Sequence, residues 1–249
     1  VSNGAAKSDT VDQTTGKRTV VFDDTMPLST YLVAFIVGEL ESTPVVAVDG
    51  VPLRVWAQPG KQNLARFAVD AGRHALTFFS RYYGIPYPGD KLDLLAIPDF
   101  AAGAMENMGA ATFRESALLL DENTATRTEL ERVADVEAHE IAHMWFGDLV
   151  TMRWWNGLWL KEAFATFMAS LAIDAYKPEW QVWTGFGVSR AGALLVDGLR
   201  STRPIEFTVV RPGDAAAMYD VLTYEKGAAC LRMLQQYLGP ELFQQGITA

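Results

Sequence analysis

The stretch His139-Glu140-Ile141-Ala142-His143 constrains this chain more than any other, because two of its three histidines lie four residues apart. Side chains at that spacing project from one face of an α-helix. Glu140 would then lie about 100° around the helix from His139, beside the imidazoles and not between them. This arrangement suits a catalytic zinc ion held by His139 and His143. It is also compatible with a helix that carries two ordinary histidines.

The neighbouring residues predict a helix of the required length. Thr126 and Thr128 each precede a glutamate by three residues, which gives two possible capping boxes. Gly147 is a plausible C-terminal stop. Apolar residues recur between these limits at steps of three and four, namely Leu130, Val133, Ala134, Ile141 and Trp145. The two histidines are therefore expected to share one helix face.

A zinc site that performs chemistry needs a third protein ligand and an open fourth position. His74 is the only other histidine, and its surroundings favour a helix or core residue over a ligand. The single cysteine excludes a cysteine cluster, so a carboxylate is expected. Glu162 is the best candidate, since it lies in a second helix predicted from Trp159 to Tyr176, with Asn156 as N-cap. Antiparallel packing of the two helices would bring Glu162 back towards His139.

A family resemblance follows from this spacing. Eighteen residues separate His143 from Glu162, which resembles the zinc signature of the gluzincin metallopeptidases, specifically the M1 aminopeptidases. The stretch Gly103-Ala104-Met105-Glu106-Asn107 matches the family's G-A-M-E-N motif without a change. Many relatives read W-L-N-E-G-F-A where this chain has Lys161 and Ala163 around the same glutamate. The likeness covers nearly the whole chain, and the departure leaves the ligand in place.

The resemblance implies a mechanism. It implies one zinc ion per chain, bound by the two histidines and Glu162, and a water that the ion activates. Glu140 is implied as the general base that takes the proton from this water. Tyr224, in a segment similar to the family's Y-x-K-G, is implied as the donor to the oxyanion. From the residues alone, Tyr219 is an equal candidate for that donor.

The resemblance also assigns substrate binding to the G-A-M-E-N stretch. Glu106 is implied as the anchor of the substrate's terminal ammonium group, which fixes the peptide bond that faces the metal. Gly103 and Ala104 are small enough for their backbone to approach a substrate, and Met105 is expected to line the pocket for its first side chain. Asn107 completes the implied set. The expected substrates are peptides with a free N-terminus.

Composition and charge exclude several other functions. The formal net charge is -9 and the basic residues form no patch, so nucleic acid is not an expected partner. No apolar run reaches eighteen residues, and no membrane span is expected. No P-loop, dinucleotide-binding pattern or G-x-S-x-G elbow is present. One cysteine permits no internal disulfide, but it does not separate a cytoplasmic protein, slightly favoured here, from a periplasmic or secreted one.

The expected fold is α+β, in two parts. By resemblance, residues 1–56 are the end of the family's N-terminal β-rich saddle domain. Residues 57–249 are most of a thermolysin-like, mainly helical catalytic domain with a small mixed sheet, and the family's C-terminal helical domain is expected to be absent. Relatives usually place a second acidic anchor in the missing N-terminal part. We therefore expect the 249-residue segment alone to bind zinc but to hydrolyse aminoacyl substrates poorly.

Alternating and periodic apolar residues predict the individual elements. The opening 18 residues are polar and are expected to be loop. A long helix is predicted at Lys61–Tyr83. Strands are predicted at Thr19–Phe22, Tyr31–Val37, Pro44–Val48, Leu53–Trp56, Leu92–Ile97, Ala111–Phe113 and Ala117–Leu120.

Two alternative functions share these motifs. The first is a bifunctional relative that also opens a lipid epoxide. The second is a non-catalytic binding protein that keeps the fold without the reaction, although His139, Glu140, His143 and Glu162 are all present.

Overall fold

The structure is a computed structural model that describes residues 1–249, and it has the predicted mixed α and β content. The strands are β1 (Ala6–Val11), β2 (Arg18–Phe22), β3 (Glu41–Ser42), β4 (Val46–Val48), β5 (Val51–Ala57), β6 (Leu92–Ile97), β7 (Ala104–Met105) and β8 (Ala110–Arg114). The helices are α1 (Arg66–Tyr83), α2 (Arg127–His143), α3 (Leu158–Tyr176), α4 (Val182–Asp197), α5 (Pro212–Ala216), α6 (Gly227–Leu238) and α7 (Pro240–Thr248). None of the helices is long and apolar enough to cross a membrane.

Six strands form one mixed sheet in the order β3-β5-β6-β8-β7, and β4 also pairs with β5. The three inner strands β5, β6 and β8 are parallel, and β3, β4 and β7 are antiparallel to their neighbours. Five of the six residues of β6 are buried, which is typical of a strand covered on both faces. The sheet includes strands from both sides of residue 57, and the division of the chain there stays a prediction.

The histidine helix α2 begins at a complete capping box. Thr126 Oγ1 accepts a hydrogen bond from Glu129 N at 3.3 Å, and the Glu129 carboxylate accepts one from Thr126 N at 2.7 Å. Of the two predicted boxes, the one at Thr126 forms and Thr128 lies inside the helix. The helix ends at His143, before the predicted stop at Gly147, because the chain already turns at Met144.

The second helix, α3, matches its prediction closely but has a different cap. It begins after Gly157, and Asn156 lies in the preceding 3-10 turn. The side-chain oxygen of Asn156 accepts a hydrogen bond from Val209 N at 2.7 Å instead of capping α3. Predicting this contact would require knowing that a loop 53 residues away approaches the helix start.

Two predictions near the N-terminus were wrong. The opening residues are not all loop, because β1 pairs with β2 in a two-stranded antiparallel hairpin. All six residues of β1 are exposed, so no apolar pattern marks this strand. Residues 31–37 do not form a strand, because residues 1–3 form hydrogen bonds with several of their backbone groups. Asn3 donates to Leu32 O at 3.0 Å and accepts from Ala34 N at 2.8 Å.

Two further boundaries differ from the predictions. Residues 117–120 are not a strand, since the amides of Leu118 and Leu119 bond to the Glu115 carbonyl at 3.2 and 2.9 Å and close a 3-10 turn. The long helix predicted from Lys61 starts as a 3-10 turn over Gln62–Ala65 and is α-helical from Arg66.

A core of 38 buried residues joins the sheet to the helices, and one carboxyl group lies within that packing. Glu137 of α2 has no exposed surface, and neither of its carboxyl oxygens has a hydrogen-bond partner. It fits because Gly72 of α1 lacks a side chain, where a Cβ would lie 2.3 Å from Glu137 Oε1. Burial raises the pKa of Glu137 well above its usual range.

Replacing Glu137 with methionine is expected to raise the free energy of unfolding by about 1–3 kcal/mol at neutral pH, because it removes an unsatisfied buried carboxyl group. The folded-state pKa lies above the ordinary value of 4.5, so the wild-type protein loses stability relative to the variant as pH rises above that value. Urea unfolding at about pH 4 and about pH 7 should show the larger difference at neutral pH. The exposed change Glu122→Met is the control. Equal stability of the wild-type and Glu137→Met proteins at neutral pH would contradict the prediction.

Candidate active site

Three side chains converge between α2 and α3. His139 and His143 lie one turn apart on α2, and Glu162 lies near the start of α3. The Nε2 atoms of the two histidines are 3.0 Å apart, and Glu162 Oε2 lies 3.4 Å from that of His139 and 3.3 Å from that of His143. These three atoms form a nearly equilateral triangle, called the ligand triangle below. His74 is not part of it and instead donates to the Ala172 carbonyl at 2.9 Å.

Hydrogen bonds at the Nδ1 atom of each histidine orient the ring so that the Nε2 lone pair points into the ligand triangle. His143 Nδ1 lies 2.9 Å from the carbonyl oxygen of Phe146, which can only accept, so Nδ1 carries the proton of the neutral ring. Thr166 Oγ1 donates to the Glu162 carbonyl at 2.9 Å and therefore accepts from His139 Nδ1 at 3.4 Å. Such outer hydrogen bonds are typical of histidines that bind metals.

The residues of the ligand triangle fit a zinc ion. Tetrahedral zinc with ligand distances of about 2.1 Å places its ligand atoms about 3.4 Å apart, close to the spacing found here. Two lone pairs and a carboxylate oxygen at this separation repel one another unless a cation lies between them. Burial lowers the pKa of His139, which favours the neutral ring that a metal requires. Burial opposes charge on Glu162, but Lys161 and the two histidines together outweigh it, and the pKa of Glu162 lies well below its usual range.

Glu140 lies beside the ligand triangle and outside it. Its carboxylate, that of Glu106 and a ring nitrogen of His143 all lie within 4.8 Å of one another. Burial, together with the negative charges of Glu106 and Glu162, raises the pKa of Glu140 well above its usual range. A carboxylate in such surroundings takes up a proton readily, as a general base must.

Glu106 is buried directly after β7 and forms an ion pair with Lys161 of α3. Lys161 Nζ also lies 2.8 Å from Glu162 Oε1, so one ammonium group bridges two carboxylates. The side chains of Lys161 and Glu106 are each only 4% exposed. Burial opposes the charge of Lys161, but Glu162 and Glu106 outweigh it and raise the pKa of Lys161 well above its usual range.

The other residues of the G-A-M-E-N stretch occupy two different settings. Ala104 and Met105 form β7, the last strand in the sheet order, so one side of this strand has no strand partner. The exposed Gly103 precedes it. Asn107 is buried, donates to Leu32 O at 3.1 Å and accepts from Thr112 Oγ1 at 2.9 Å. These bonds hold the turn after Glu106, and the substrate contact expected of Asn107 stays a prediction.

Of the two candidate tyrosines, Tyr224 lies against the ligand triangle. It belongs to a π-helical turn at Leu222–Lys226, and its ring stacks on His139 with centroids 5.9 Å apart. The ring centroid of Tyr219 lies 6.5 Å from that of Tyr224, and Tyr219 is 49% exposed. Burial and the charge of Glu162 raise the pKa of Tyr224 well above its usual range, so its phenol keeps the proton that a donor needs.

Sequence reasoning missed three members of the site. Lys161 stands next to a predicted ligand and departs from the family pattern, and that departure was the available signal. Tyr31 places its ring centroid 5.2 Å from Lys161 Nζ, although its segment was predicted as a strand. Asp148 is 3% exposed with no hydrogen-bond partner for either oxygen, and burial and the charge of Glu106 raise its pKa well above its usual range.

Comparison with known proteins agrees with the resemblance. The model of the peptidase family M1 domain matches residues 67–249. Aminopeptidase M1 of Arabidopsis thaliana is 46% identical over 92% of this chain, and Aminopeptidase 2 of Candida albicans is 43% identical over 100% of it. Endoplasmic reticulum aminopeptidase 1 of Homo sapiens is 45% identical over 91% of the chain. The chain spans about a quarter of the length of these relatives, namely 26%, 27% and 24%. The chain therefore belongs to peptidase family M1.

Proposed function

We propose that this protein is a zinc aminopeptidase that hydrolyses the first peptide bond of peptides with a free N-terminus. The observation that carries the proposal is the ligand triangle with Glu140 and Glu106 beside it. The similar proteins named aminopeptidases support the same reaction. A zinc ion held by His139, His143 and Glu162 would supply Lewis acidity and lower the pKa of a water.

Glu140 is the general base in this proposal. It approaches the ligand triangle on the side of His143, and its own carboxylate is not among the three ligand atoms. Because the group is buried, a proton that it accepts is shielded from bulk solvent and can pass to the leaving amine. The raised pKa described above makes the protonated state accessible during turnover.

Glu106 binds the substrate's ammonium group and makes the enzyme an exopeptidase. A buried carboxylate binds a cation strongly, and its fixed distance from the ligand triangle determines which bond is positioned for hydrolysis. The open side of β7 offers backbone groups to an extended peptide immediately before Glu106. We assign substrate contacts to Gly103, Ala104 and Met105 on this ground.

Tyr224 is the proposed donor to the oxygen on which negative charge develops. Its stacking on His139 places the phenol next to the ligand triangle, and its raised pKa keeps the proton available. The exposed Tyr219 has no comparable contact with a ligand histidine and is the weaker candidate.

The domain assignment belongs to the same proposal. We assign residues 1–56 to the end of a β-rich domain and residues 57–249 to the catalytic domain. The family model, which begins at residue 67, supports the second assignment. We also propose that residues 1–249 alone bind zinc but turn over substrate weakly, because relatives are about four times longer.

The zinc-loaded complete protein should hydrolyse leucine 4-nitroanilide with a kcat/KM about 10- to 150-fold higher than its N-acetylated form, because acetylation removes the cation that Glu106 binds. Glu106→Gln should reduce this ratio towards one. Equal cleavage of the two substrates by the wild-type protein would contradict an aminopeptidase. Turnover of a lipid epoxide with no anilide cleavage would point to the alternative hydrolase.

A further inference from the structure

The binding position proposed for the substrate's ammonium group already has a cation beside it. Lys161 Nζ forms an ion pair with Glu106, and both side chains are almost fully buried. The lysine reaches this position from α3, where it precedes the ligand Glu162. Lys161 and a peptide N-terminus carry the same chemical group, a primary ammonium ion with three donors.

We propose that Lys161 is a specificity-determining residue that competes with the substrate's ammonium group for Glu106, so that a substrate binds by displacing the lysine from this carboxylate. The proposal rests on the proposed function of Glu106 as the amine anchor. It extends that function by assigning a role to a residue that supplies neither a metal ligand nor a proton acceptor.

The geometry permits displacement without leaving Lys161 unpaired. Its ammonium group also lies 2.8 Å from Glu162 Oε1, and that contact does not involve Glu106. Glu162 uses its other oxygen, Oε2, in the ligand triangle, so the second ion pair is compatible with the ligand set. The ring of Tyr31, with its centroid 5.2 Å from Nζ, offers a further favourable contact for the cation. A four-carbon side chain can therefore move away from Glu106 and remain partnered.

Competition of this kind weakens every ligand that depends on an ammonium group and leaves uncharged ligands unaffected. The substrate must replace an existing charge-assisted hydrogen bond, so only the difference between the two interactions contributes to its affinity. Selection among substrates with a free N-terminus should then depend more on the first side chain, because competition with Lys161 reduces the contribution of the ammonium group to affinity.

Binding of n-butylammonium, measured by calorimetry with and without zinc, tests the proposal directly. The variant Lys161→Met removes the competing charge and keeps a similar length, and it should bind this cation about tenfold more tightly than the wild-type protein. Lys161→Arg keeps the charge and should retain the weaker binding. The exposed change Lys7→Met removes the same charge on β1 and is the matched control. N-butylacetamide, which has no charge, should bind all four proteins alike.

Equal affinity of wild-type and Lys161→Met proteins for n-butylammonium would overturn the proposal, as would equal tightening for N-butylacetamide. Lys161→Met leaves buried carboxylates without a cation and can impair folding, so a second measurement uses the wild-type protein. With ¹⁵N-labelled lysine, the Lys161 ammonium signal, identified by its loss in Lys161→Arg, should shift when n-butylammonium binds. Binding without that shift would refute displacement.

The same preparations separate this inference from the proposed function. Leucine 4-nitroanilide turnover by the wild-type protein tests the aminopeptidase, and n-butylammonium binding does not require turnover. Hydrolysis with no effect of Lys161→Met on amine affinity would reject only the role of Lys161. Absence of hydrolysis in the complete zinc-loaded protein would reject the proposed function.

Discussion

Glu140→Gln is expected to lower kcat for leucine 4-nitroanilide by about a thousandfold in the zinc-loaded complete protein. Glutamine has nearly the same shape as glutamate but cannot accept a proton at neutral pH, so the change removes the proposed base and preserves packing around a buried side chain. The zinc content should stay at one ion per chain, because Glu140 contributes no atom to the ligand triangle. Steady-state kinetics and metal analysis of the same preparation measure both quantities.

A matched control for this change is available on the same helix. Glu131 is on α2 and pairs with Arg127 away from the ligand triangle, so Glu131→Gln should leave kcat unchanged. Full activity of Glu140→Gln would reject the general-base assignment. A loss of zinc from Glu140→Gln would instead show that this carboxylate helps to hold the metal.

The parts of the site that sequence predicted are those determined by local geometry. His139 and His143 are one helical turn apart, so any α-helix brings their side chains together. Glu162 follows from the packing of two consecutive helices joined by a short connection. Both inferences need only secondary structure and the order of elements.

The parts that sequence did not predict depend on distant contacts. Glu106 and Lys161 are 55 residues apart, and the motif that contains Glu106 carries no information about Lys161. Tyr31 reaches the site from a segment whose alternating apolar residues suggested a strand, because its backbone is held by Asn3 and not by a sheet. The exposed strand β1 has no apolar face from which it could be recognised. In each case, tertiary packing and not local preference decides the outcome.

These distant contacts also determine the balance of positive and negative charge at the site. Four buried carboxyl groups, those of Glu106, Glu140, Asp148 and Glu162, lie around the buried ammonium group of Lys161. Two of them bond directly to Lys161, and burial raises the pKa values of the other two, Glu140 and Asp148, well above their usual range. Because the carboxyl groups outnumber the one ammonium group beside them, the site favours binding of cations, both a metal ion and a substrate's ammonium group.

Removing zinc with a chelator is expected to abolish turnover of leucine 4-nitroanilide without unfolding the chain. The ligand triangle lies on two helices packed into a core of 38 buried residues, so the fold does not depend on the metal alone. Without the metal, the two Nε2 lone pairs and Glu162 Oε2 lie within 3.4 Å of one another and repel. This repulsion destabilises the metal-free protein relative to the zinc-loaded protein. Zinc at a free concentration 100 times its Kd should add about 2.7 kcal/mol and raise the Tm by roughly 5–10 °C.

The measurement combines calorimetry, activity and metal analysis on a single preparation. Turnover and Tm should recover together and saturate at one zinc per chain, and magnesium should restore neither, since it prefers oxygen ligands in octahedral geometry. Recovery that requires a second zinc would point to a further metal site at Glu106, Glu140 and His143, whose ligand atoms also lie within 4.8 Å of one another. Turnover that persists in fully metal-free protein would contradict the proposed mechanism, because without the ion no group in the ligand triangle can activate the water.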